Sequence, residues 1–265
     1  MKRVSVICIA ALAVLASCKK ESTPPEFLPT DKGSIEIEFD NVVGSDDLVL
    51  NTGAYTNAIG ETYNITKFSY YISNIKLKNE DGTEYIVPQD ESYFLIQEDD
   101  ESTHVAEIEN IPAGNYTGIT FTVGVDSLRS AADIAERTGV LDPATGALDM
   151  YWSWNSGYIF LKMEGISTAS MMGDFMYHIG GFGGYSSATI NNLKTITLTA
   201  PTDNIATVRK DVTPEVHLFA DAGKVLNGTT NVSIAANPMV MFADYSVNIA
   251  NNYAGMFKID HIHND

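Results

Sequence analysis

The hydrophobic residues of this chain recur every second position over most of its length. In SIEIEF, residues 34–39, Ile35, Ile37 and Phe39 alternate with Glu36 and Glu38. That period puts the apolar side chains on one face of a strand and the acids on the other. DDLVLNTG forms a second short run. YNITKFSYYISNIKLKNEDGTEYIVP predicts two strands around Asp81-Gly82, a pair that tolerates the positive φ of a tight hairpin turn. SYFLIQ at 92–97 is another strand. HVAEIENIPAGNYTGITFTVGVD predicts strands on both sides of a Pro-Ala-Gly-Asn turn at 112–115. WSWNSGYIFLKMEG, DFMYHIGG, TITLTA, ATVRKDV, EVHLFADAG and NVSIAA continue the pattern. One segment reads as a helix: 127–139, capped by Ser127, with Leu128, Ala131, Ala132, Ile134 and Ala135 as its apolar face and Gly139 as its stop. The stretch after Pro238 mixes a short helix or loop with a last strand. Many short strands and one helix predict a mainly β fold, an antiparallel β-sandwich with one short helix, in a single domain over 34–265.

The N-terminus follows another pattern. Lys2 and Arg3 precede the apolar run VSVICIAALAVLA, which is too short to span a bilayer as a mature helix. It ends in LASC, residues 15–18, which resembles a bacterial lipobox. The expected organisation is a lipoprotein signal peptide over 1–17, a lipidated Cys18, a proline-containing tether over 18–33, and the domain from Ser34. This predicts a lipid-anchored protein of the cell envelope, at the periplasm or outer membrane. Loss of Cys8 with the signal leaves one cysteine, itself modified, so neither a disulfide nor a thiolate metal site is expected.

Charge and motifs narrow the function. A formal charge of −18 excludes a nucleic-acid groove, which needs a basic stripe. No G-x-S-x-G, P-loop or H-E-x-x-H is present, and no nucleophile–base set emerges, so an enzyme is not expected. The acidic run EDDES at 98–102 lacks calcium-loop spacing and reads as a solvated loop.

The candidate ligands are His104, His178, His217, His261 and His263. In a strand, His217 faces away from Val216 and Leu218, and His261 and His263 face one side together. The latter two lie at the C-terminus, where disorder is the ordinary state. His178 follows closest on the only two tryptophans, Trp152 and Trp154, which share one strand face. Two indoles ordinarily pack a core, but beside an imidazole they can wall a metal pocket or stack a sugar.

MYWSWNSGYIFLKMEG followed by FMYHIGGF resembles the core motif of the MbnP-like, methanobactin-operon copper-binding family. NITKFSYYISNIKLKNEDG, PAGNYTGITFTVGVDS and NYAGMF extend the resemblance over most of 33–260. It implies an exported β-rich protein in which a motif tryptophan is oxidised to kynurenine by a partner di-haem peroxidase of the MauG type. Copper is then held by histidines together with the modified residue. By that resemblance Trp152 and Trp154 are the two candidate kynurenine precursors and His178 is the motif ligand. His217 and His104 are candidates for the rest of the shell, with Met163, Met171, Met172, Met176 and Met239 as soft donors. One place departs from the family. After GVD, where a histidine is expected, the chain has Arg129 and Ser130, and an arginine cannot shed its proton to bind metal. The expected function is an exported lipoprotein that binds copper or another transition metal. The alternative is a metal-free surface module for a glycan or protein ligand on the same scaffold.

Overall fold

The computed structural model describes residues 27–28, 30–147, 149–153 and 157–265. The predicted signal peptide, Cys18 and Trp154 lie outside the described residues. Strand β1 (Lys32–Val43) buries Ile35, Ile37 and Phe39 and turns Glu36 and Glu38 the other way, as its alternation requires. It starts two residues before the expected boundary, with Lys32 already paired to Pro112. Two short strands follow, β2 (Asp46–Asp47) and β3 (Tyr55–Thr56). The long β4 (Thr62–Asn79) turns into β5 (Glu84–Ile86), with Gly82 at φ 87°. Next come β6 (Tyr93–Gln97), β7 (Val105–Pro112) and β8 (Gly114–Val123). After a long irregular stretch the chain forms β9 (Tyr151–Trp152), β10 (Gly157–Ile166) and β11 (Asp174–Gly180). β12 (Lys194–Thr199), β13 (Ala206–Val208), β14 (Pro214–Asp221), β15 (Met239–Val240) and β16 (Phe257–Asn264) complete the set.

Three expectations are corrected. The segment 127–139 is not one helix: α1 covers only Ser127–Ser130, and a single 3₁₀ turn follows at Ile134–Glu136. Asp126 is the cap, accepting from the Leu128 and Arg129 amides at 3.0 and 3.2 Å. Leu128 and Ile134 are 79% and 69% exposed, so the apolar stripe that would stabilise a longer helix has nothing to pack against. The longer helix is α2 (Ser246–Tyr253), which buries Ile249, Ala250 and Tyr253 on one side. Second, the sandwich is mixed, because β1 runs parallel to β14 and β11 parallel to β15. Third, the C-terminus is ordered by strand pairing of β16 with β14.

The strands form two sheets. The smaller has the order β16-β14-β1-β2, with β7 also on β1. The larger follows β12-β8-β4-β10-β11-β15, with β3, β5 and β6 on β4, β9 on β10 and β13 on β8. Their facing sides share one core. There Phe39 of the small sheet meets Phe121 of the large one edge-on at 6.0 Å, and Phe121 meets Phe257 at 5.0 Å. The larger sheet is also covered on its outer face. Consecutive residues Tyr70 and Tyr71 point opposite ways, Tyr70 into the shared core and Tyr71 into a second cluster. Trp152, Tyr158, Phe160, Leu141 and Met150 belong to that cluster. The outer face of the small sheet instead carries Glu36, Glu38 and Asp40 of β1 and Glu215 and His217 of β14, all half-buried.

Candidate metal centre

β14 alternates strictly: Val216 and Leu218 are buried, while Glu215 and His217 face outward. β16 reaches the same result by an irregular route. Leu218 pairs with Ile259, and His217 pairs with His261, so Asp260 is an extra residue, a β-bulge. Without the bulge, unbroken alternation after Ile259 would turn His261 inward and Ile262 outward. The bulge keeps Ile262 buried and leaves His261 and His263 on the outer face.

Register then assembles the cluster. His217 lies opposite His261, and Glu215 opposite His263. The His217 and His261 rings stack at 4.2 Å between centroids, tilted by 15°. His263 stands edge-on to both, at 5.3 and 4.7 Å. The Nε2 atoms of His261 and His263 are 3.0 Å apart. One ligand nitrogen from each of the three histidines falls within 4.8 Å of the others.

Carboxylates set the protonation pattern. Glu38, in register with His217 across the parallel pair, contacts its Nδ1. Asp260 Oδ2 lies 2.7 Å from Nδ1 of His261. A carboxylate accepting from Nδ1–H leaves the Nε2 lone pair of a neutral imidazole free to bind a metal. His217 Nε2 is buried and has no hydrogen-bond partner. Glu215 Oε2 sits 3.4 Å from it, close but not aligned for a hydrogen bond. With Nε2 of His261 as acceptor, Nε2–H of His263 is the donor between them. For His263 to bind an ion through Nε2 as a neutral imidazole, its proton moves to Nδ1. The orphaned nitrogen and the neutral imidazole donors fit a transition-metal ion.

The other predicted residues lie elsewhere. His104, just before β7, is 3.1 Å from the Gln97 carbonyl oxygen and 3.9 Å from Glu98. Asp40 feels both His104 and His217, yet its carboxyl is held above the usual range, by burial first and then by Asp47 and Glu38. His178 Nε2 is 2.7 Å from Glu164. Burial pushes its imidazole below the ordinary value; the Glu164 hydrogen bond opposes this and Lys162 adds to it. Among the described residues, no group of three metal-capable side chains includes His178 or His104.

Trp152 is only 6% exposed, which removes it as an open stacking platform. It packs on Gly180, where a Cβ would lie 2.7 Å from the indole, and edge-on to Phe242 at 6.5 Å. With Arg137, Phe182, Tyr185 and Phe242 it lines a cleft of about 620 Å³. His178 shares the Gly180 side of β11, so motif imidazole and indole do occupy one face of the large sheet. Met163 is fully buried in the core, and Met171, Met172 and Met239 are exposed away from the small sheet. Arg129 pairs with Asp90 and the Glu136 carbonyl, tying the irregular stretch together where a ligand was expected. The sequence reading did not place His261 and His263 among the metal residues. The H-x-H at the end of FKIDHIH was the available signal.

The fold and the cluster define a two-sheet β-protein with a carboxylate-buttressed histidine centre on its open face. A model of the MbnP family matches residues 32–242, and the chain belongs to that family. The match includes Trp152, His104, His178 and His217, and ends before His261 and His263. The solved structure of MbnP from Methylosinus trichosporium is similar, at 14% identity, covering 76% of this chain and 80% of that one, with a TM-score of 0.49. No curated protein matches the chain.

Proposed function

We propose that this protein binds a transition-metal ion, copper in the role its family membership favours, at His217, His261 and His263. One observation carries the reading: three imidazole nitrogens converge, and the most buried of them has no hydrogen-bond partner. Imidazole suits copper and zinc alike, so the donors support a transition metal and the family supports copper. We further propose that the chain works in the cell envelope, anchored through Cys18, and that Trp152 or Trp154 is oxidised by a di-haem peroxidase of the MauG type. Those parts rest on the lipobox and the tryptophan motif. Peptide mass spectrometry of native protein tests them: a diacylglyceryl Cys18 and a kynurenine are expected, and an unmodified N-terminus with two intact indoles contradicts them.

The metal site is tested with the double variant His261→Ala/His263→Ala. Both side chains are on the surface, so folding is expected to survive and can be checked by circular dichroism. Wild type is expected to bind one copper ion per chain. The variant is expected to lose affinity by about 100-fold or more, since removing ligands exceeds the 10- to 100-fold effect of outer-shell changes. Equal binding by the two proteins would refute the assignment.

A further inference from the structure

The large sheet carries a second open feature, the cleft beside Trp152. We infer that this cleft binds a small organic acid, its aromatic or apolar body between the walls and its one carboxylate on the guanidinium of Arg137. The inference is independent of the histidine centre, which lies on the small sheet.

Arg137 is the observation that carries it. A guanidinium keeps its proton at any ordinary pH, so its charge has to be met where it stands. The residue is only 9% exposed, yet among the described residues no carboxylate lies within 4.0 Å of it. Its contacts are to neutral groups. Nε and Nη2 donate to the Ala132 carbonyl oxygen at 3.0 and 2.8 Å, and Nη1 donates to the Tyr151 hydroxyl at 3.1 Å. The guanidinium also lies 5.9 Å from the centre of the Tyr151 ring. These bonds occupy the Nε proton and one proton on each terminal nitrogen, and a second proton on each terminal nitrogen is left to donate. A buried charge with no counter-charge is costly to keep, and this one lines an open cleft that can admit its partner.

The walls define the rest of the ligand. At about 620 Å³ the cleft has the size of an ordinary small-molecule site. Trp152, Phe182, Tyr185 and Phe242 supply flat apolar surface, and Ser186 and Thr189 supply hydroxyls. The loop side is preformed: the Gly183 amide donates to the Ile190 carbonyl and the Thr189 amide to the Gly183 carbonyl, both at 3.0 Å. Asp133 also lines the cleft, exposed and without an ion pair among the described residues. One cation beside one acid, in a chain of formal charge −18, favours a single carboxylate over a doubly charged phosphate.

The test titrates the metal-free full chain by calorimetry with benzoate, 3-phenylpropionate and indole-3-acetate, each compared with its neutral amide and with acetate. At least one of these acids is expected to bind saturably, and about 10-fold or more tighter than its amide and than acetate. Arg137→Met is expected to weaken that binding by about 10- to 100-fold, the range of a charge-assisted hydrogen bond. Arg137 also ties Ala132 to Tyr151, so the fold of this variant is checked by circular dichroism. Tyr185→Ala, at a residue 77% exposed, is expected to keep the fold and to weaken the aromatic acid several-fold. No saturable binding by any of the acids, or amides that bind as well as the acids, overturns the inference. Full affinity in Tyr185→Ala, or in a folded Arg137→Met, places the ligand elsewhere and overturns it as well. Should Arg137→Met not fold, the comparison of acid with amide and the Tyr185→Ala titration decide.

Discussion

His217 has a glutamate near each ring nitrogen, Glu38 in contact with Nδ1 and Glu215 at 3.4 Å from Nε2. Glu38 holds Nδ1, and Nε2 is left buried without a partner. Replacing Glu38 with glutamine removes the charge that favours an Nδ1–H tautomer, because an amide can donate to that nitrogen as well as accept from it. Glu38→Gln is therefore expected to weaken metal binding by about 10-fold while changing thermal stability little. Competition titration and a melting curve check both parts, and undiminished affinity would argue against the orienting role. The outward direction of His217 was legible in EVHLFAD, and so was the common side of His261 and His263. Their value as a trio was not, because no single segment contains it. His178 looked stronger from sequence because it follows the tryptophans. Its Nε2 is instead held by Glu164.

β16 shows how an element can be read correctly in pattern and still be misplaced. FKI and HIH each alternate, and Asp260 is the residue between them that breaks the period. Deleting Asp260 would leave Phe257, Ile259 and Ile262 inward and both histidines outward in an unbroken strand. The deletion variant is expected to fold, to keep the metal centre, and to lose about 10-fold in affinity through the missing carboxylate on His261. Unfolding and metal titration would show this, whereas a chain that fails to pair β16 would contradict the bulge assignment. The segment 127–139 failed in the opposite way. Its composition suits a helix, but Leu128 and Ile134 stay in solvent, and a short helix without a packed stripe does not hold.

The whole molecule is tied together by contacts between distant parts of the chain. Glu61, before β4, accepts from the Ile234 and Ala235 amides at 2.7 and 3.1 Å, from Ser233 at 2.9 Å and from Asn57 at 2.7 Å. Burial alone would raise its carboxyl, but these hydrogen bonds together hold it below the usual glutamate range. Its folded value is thus lower than its unfolded one. The stability it adds is fully present above the unfolded value and is lost as pH falls through the folded one. Glu61→Gln is expected to cost on the order of 1–3 kcal/mol at neutral pH, in line with broken charge-assisted hydrogen bonds. The gap between the two proteins should shrink in acid, and chemical denaturation at neutral and acidic pH reads it directly. A gap constant with pH would mean that the carboxylate charge is not what holds the loop.

The layering also decides which face is open. The large sheet is covered on both sides and the small sheet on one, so the outward residues of β1, β14 and β16 come together in solvent. By itself, the amino-acid order determined which side of each strand is apolar, because solvation and the two-residue pleat act locally. That suffices for a mainly β fold and for the outward direction of Glu38, Glu215, His217 and the His261–His263 pair. Only the tertiary structure decided that β14 lies beside β1 in parallel and beside β16 across a bulge, and so that these side chains meet. Strand partnership is set by burial of whole faces against one another, and segments with the same alternation compete equally for it until the complete core chooses.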